Sequence, residues 1–79
     1  ETRAMRIVAD QINAYKDLRN AREYYEFADV FGISIVSAVR KYKEAIRNYL
    51  HNRLPRKIEE RLNLNVNHLE GTLELKSSP

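Results

Sequence analysis

Cysteine is absent from these 79 residues. No disulfide framework and no thiolate metal site is therefore open to the chain. His51 and His68 are the only imidazoles and stand far apart, so the ligand spacing of a zinc site is missing too. Tryptophan is also absent, and glycine and proline occur twice each. Gly32 and Gly71 cannot form a glycine-rich phosphate cradle. No apolar run approaches the roughly 20 residues of a membrane-crossing helix, and no signal sequence is visible. A cysteine-free chain of this kind suits a cytoplasmic or nucleoid-associated setting. The chain opens on Glu1 rather than methionine, which reads as a piece of a longer one.

Catalytic groups are scarce as well. Ser34, Ser37 and Thr72 have no histidine at a spacing that suggests a nucleophile and its base. Glu59 and Glu60 are adjacent, and neighbours on a helix point to different faces. A single small domain, residues 1–76 with a tail at 77–79, has a thin core and little room for a water-excluding pocket. No enzyme activity, cofactor, metal or small-molecule substrate is expected.

Charge is present but unevenly placed. From Ser34 to Lys57 seven basic side chains, Arg40, Lys41, Lys43, Arg47, Arg53, Arg56 and Lys57, face one acidic residue, Glu44, a balance of +6. The rest of the chain carries seven basic and ten acidic residues, a balance of −3, which restores the overall +3. A basic middle between acidic ends points to a polyanionic or acidic partner.

With so few helix breakers, helical periodicity dominates the pattern. Met5, Val8, Ile12, Tyr15 and Leu18 recur at spacings of three and four over residues 3–18. Asn20 followed by Glu23 has capping-box spacing, so the helix is expected to break near Asn20, with an uninterrupted helix through Phe31 as the alternative. A second, aromatic helix from Ala21 to Val30 or Phe31 then ends at Gly32. A third runs from Ser34 to about His51. Its Ile35, Ala38, Val39, Tyr42, Ala45, Ile46, Tyr49 and Leu50 form one apolar face, opposite Arg40, Lys43, Arg47 and His51. Leu54-Pro55 stops it, and Pro55 to Leu62 forms a short fourth helix.

The tail reads in two ways. Leu62, Leu64 and Val66, then Leu73 and Leu75, alternate with polar residues around Glu70-Gly71, the pattern of a β-hairpin. The competing reading makes 58–69 a second helix-turn-helix-like corner, with Asn65 capping a helix from Val66. The hairpin is preferred here. The five tyrosines fall mainly on apolar stripes and are expected to pack in the core or an interface.

Phe27-Ala28, Phe31, Gly32, Ile33 and Ser34 stand at the relative spacings of a helix-turn-helix: an apolar pair with a small residue, a left-handed glycine, an apolar plug and a capping serine. In this stretch the chain resembles the helix-turn-helix superfamily of DNA-binding proteins. Ala38 and Lys41 replace the larger aliphatics usual later in that motif. The resemblance implies a mainly α domain of three to four helices, with the hairpin as a wing, that binds double-stranded DNA as a homodimer. Transcription regulation, or phage or plasmid replication or partition, would be its setting. The helix from Ser34 would enter the major groove, with Val36, Ser37, Arg40 and Lys41 at base edges. Lys43, Arg47, Arg53, Arg56 and Lys57 would contact phosphates, Ser34 would cap the helix, and Lys76 or Asn67 would serve the wing. The stripe from Met5 to Leu18 would be the dimer seam. The alternative is a helical oligomerisation or docking domain without nucleic-acid contact.

Overall fold

The computed structural model describes residues 2–75, which form four α-helices: α1 (Arg3–Glu26), α2 (Ile35–His51), α3 (Arg56–Arg61) and α4 (Val66–Thr72). Lys76 and the tail at 77–79 lie outside the described residues.

Thr2 starts α1: its hydroxyl accepts from the Met5 amide at 3.2 Å. The helix does not break at Asn20. A seam of Ile7, Gln11, Ala14, Leu18, Ala21 and Tyr25, spaced alternately by four and three, runs straight through that point. Its Ala14, Leu18 and Ala21 are buried. Asn20 and Glu23 are exposed, and a cap at Asn20 would sever the seam at its centre. Past Glu26 the chain makes one detached turn, with the Phe31 amide donating to the Phe27 carbonyl at 3.0 Å. The expected second helix is thus divided between the end of α1 and this turn.

Gly32 closes the turn at φ +67°. The Ile33 amide donates to the Ala28 carbonyl at 2.8 Å, and the Gly32 amide to Asp29 at 3.3 Å. These paired bonds are the Schellman arrangement. Ser34 then stands at the N-cap of α2, although its side chain makes no capping bond. Along α2, Ala38, Val39, Tyr42, Ile46 and Tyr49 are buried as the periodicity requires. Ile35, at the open end, is exposed.

Among the described residues there is no strand, so the expected wing is replaced by a second corner. The Leu64 amide donates to the Glu59 carbonyl at 2.9 Å and the Asn63 amide to Glu60 at 3.1 Å, repeating the bonds at Gly32. Asn63 takes the left-handed conformation at φ 56°, one that asparagine tolerates better than most residues. Asn65 caps α4, its side-chain oxygen accepting from the His68 amide at 3.1 Å. Two of the asparagines that sit poorly in a strand are therefore turn and cap residues.

α1 and α2 run antiparallel. Near one end the Gln11 side chain donates to the Arg53 carbonyl at 2.8 Å; near the other the Tyr25 and Tyr42 rings lie 5.3 Å apart. Leu69 of α4 completes the core with Ala14, Leu18, Ala21, Tyr42, Ile46 and Tyr49. The alanines let the helices approach closely. α1, about 36 Å long, overhangs the pair: residues 2–10 are all exposed.

Candidate nucleic-acid interface

The ten residues expected to meet DNA fall mainly into three groups, with Arg40 shared by two of them and Ser34, Arg56 and Lys57 outside all three. Arg53 belongs to the framework. Its guanidinium forks onto Glu59, Nε to Oε2 at 3.1 Å and Nη2 to Oε1 at 2.8 Å. Glu59 is 4% exposed and also accepts from the Tyr49 hydroxyl at 2.6 Å, which in turn accepts from the Leu54 amide at 3.2 Å. The Arg53 hydrogen bonds hold the Glu59 carboxyl below its usual range against the opposing effect of burial, with Tyr49 assisting. Burial, reinforced by the bond to Glu59, raises the Tyr49 phenol. This triad fastens α3 to the end of α2.

A second group faces α1. Ser37, Arg40 and Lys41 line a shallow cleft whose other wall carries Asp17, Asn20 and Tyr24. The Lys41 amine lies 5.1 Å from the Tyr24 ring centroid, in a cation–π contact. Tyr24 also packs edge-on against Phe31 at 5.4 Å. Glu44 lines the cleft too, so two carboxylates offset its cations. The sequence pattern within α2 carries no trace of Asp17 and Tyr24, which arrive from α1 through the antiparallel packing.

The third group forms the outer stripe. Arg40, Lys43, Arg47 and His51 recur at spacings of three, four and four, which places them along one side of α2 over about 16 Å. Arg40, Arg47 and His51 are exposed and Lys43 is half-buried. None of the three permanent cations forms an ion pair among the described residues. Arg40 lies at the edge where stripe and cleft meet. Val36 is half-buried at the start of the stripe. Arg56 is exposed and pairs with Glu60 at 3.3 Å, while Lys57 is exposed at the start of α3. Asn67 stands exposed on α4.

Among the described residues no group of three potential metal ligands converges, and no helix is long and apolar enough to cross a membrane. Comparison with protein families, characterised proteins and solved structures finds no match.

Proposed function

We propose that this chain binds double-stranded DNA through the outer stripe of α2, in the manner of a helix-turn-helix-type module. The observation that carries the reading is the row of unpaired cations Arg40, Lys43 and Arg47, continued by His51, on one side of a surface helix. Unpaired cations in a row are suited to phosphates and to the release of their counterions. Phosphate contacts by Arg47 and Lys43 would fix the register of α2. Arg40, nearer its N-terminus, would reach a base edge, where its fork matches guanine. Ser37 and Lys41 adjoin it, and Val36 offers an apolar contact for a thymine methyl. Arg56 and Lys57 extend the basic surface beyond α2. Arg53 stays on Glu59 in this account and contributes by holding α3. Transcription regulation, or phage or plasmid replication or partition, remains the setting such binding would serve.

Titrating a duplex into isotopically labelled protein tests the placement. Amide shifts concentrated at 36–51 are expected. Shifts centred on the α1 overhang or on α4 would overturn it.

A second reading is a docking module of a larger protein. It is favoured by the bare corner between α1 and α2, where Phe27, Val30, Phe31 and Ile35 are exposed and Val30 reaches 75%.

A further inference from the structure

We infer that His51 is the last phosphate contact of the α2 stripe and makes that contact only as the imidazolium, so that duplex binding takes up a proton. The inference rests on the DNA-binding reading and adds its control by pH. Imidazole is the side chain whose ordinary charge change falls between pH 5 and 8. Neutral, the ring offers a phosphate one N–H donor; protonated, it offers two donors and a charge. On a surface that works by charge, the two forms differ by one phosphate contact.

The placement of the ring carries the argument. His51 is exposed. At 100° per residue it lies about 170° from the middle of the buried face of α2, on the side that no helix covers. It stands one turn past Arg47, about 6 Å further along the axis, and lengthens the row of cations by that amount. A histidine in the last turn of a helix can spend its ring on the final carbonyls. Here Asn52 serves them: its amide donates to the Tyr49 carbonyl at 2.9 Å and its side chain to the Asn48 carbonyl at 3.0 Å. The His51 ring makes no hydrogen bond, ion pair or ring contact among the described residues.

The charges that other elements bring toward this end of α2 are directed elsewhere. Arg53 and Glu59 hold each other, and on α3 Arg56 pairs with Glu60, with Lys57 beside them. Glu70 of α4 acts on Arg53. Asp17 of α1 faces Glu44 across the cleft, which His51 does not line. Within α2, Arg47 stands one turn back and Glu44 two. No carboxylate of this set bonds the ring, so a bound phosphate is the anion that its protonated form meets. His68, the other histidine, lines a hollow with Arg22, Tyr25, Glu26 and Tyr42, away from the stripe, and is the internal control.

The test is the affinity for a random-sequence duplex at about pH 5.5 and about pH 8, either side of the ordinary imidazole midpoint. It is followed by anisotropy of a dye that does not titrate between them. The chain should bind about five- to tenfold more tightly at the lower pH, as one charge-assisted contact gives. The salt slope should steepen by about 0.9. His51→Gln should remove both changes and keep the affinity seen at the higher pH. His51→Lys, a permanent cation, should bind at the higher pH as the unaltered chain does at the lower. His68→Gln should behave as the unaltered chain. Binding that needs Arg47 yet is indifferent to pH overturns the inference and leaves the DNA reading standing, as does a pH dependence that persists in His51→Gln. Absence of binding at both pH values overturns the two together.

Discussion

The Tyr49 hydroxyl and the Glu59 carboxylate meet at 2.6 Å across the joint between α2 and α3. Tyr49 is fully buried and Glu59 nearly so, and the Arg53 fork supplies the opposite charge from a more exposed position. The bond closes a short loop around Pro55 and holds the second corner against the core. Tyr49→Phe removes the donor to Glu59 and leaves the Leu54 amide without its acceptor. A loss of about 1.5–3 kcal/mol is expected, which in a domain of this size lowers Tm by roughly 10 °C. Thermal unfolding followed by circular dichroism checks it.

The same carboxylate makes stability depend on acid. Its folded pKa is depressed, chiefly by the Arg53 hydrogen bonds. The folded state therefore holds that proton less tightly than the unfolded chain. The contribution is complete above the unfolded value of about 4.3 and is lost as pH falls through the lower folded value. Glu59→Gln should start less stable at neutral pH and lose less between pH 5 and acid. Parallel acid-loss curves for the two proteins, measured by Tm against pH, would exclude Glu59 as a source of the dependence.

Arg53 and Arg47 look alike in the sequence and should behave oppositely. Arg53→Ala strips the Glu59 fork and should lower Tm. Arg47→Ala removes a cation with no partner and should leave Tm nearly unchanged while weakening DNA binding. Paired melting and binding measurements on the two variants separate the framework cation from the surface one.

Gly32 and Asn63 hold matching positions at the two corners. At Gly32 a Cβ would meet nothing within 4 Å, so Gly32→Ala tests backbone strain alone. A cost of about 1 kcal/mol is expected from the positive φ, with Gly32→Asn costing less. Asn65→Ala should cost a similar amount through loss of the α4 cap. Chemical denaturation gives all three differences.

Where large apolar residues marked the packing, the fold could be read from the sequence. The boundaries of α2 follow from Ser34 and from the stop at Leu54-Pro55, and its buried face from Ala38 to Tyr49. The continuity of α1 was hidden because its seam is built on Ala14 and Ala21, too small to register against Met5, Val8 and Ile12. Met5, Val8 and Ile12 mark a face that the core does not use. The second corner was obscured by leucines alternating with polar residues as in a strand, although Asn63 and Asn65 carry turn and cap chemistry. At the candidate site, the cationic stripe follows from spacing within one helix. The pairing of Arg53 with Glu59, and of Lys41 with Tyr24, needed contacts that spacing within α2 does not reveal.

The most direct test is the salt dependence of duplex binding, followed by fluorescence anisotropy with a labelled random-sequence duplex. Three to four phosphate contacts, from Lys43 and Arg47 on α2 with Arg56 and Lys57 beyond it, predict a slope near −3 for log Kobs against log salt, at about 0.9 per contact. Arg40→Glu/Arg47→Glu should abolish most of that binding and flatten the slope, with the fold unchanged. Absence of binding at low salt, or a slope and affinity indifferent to the double variant, would contradict the account.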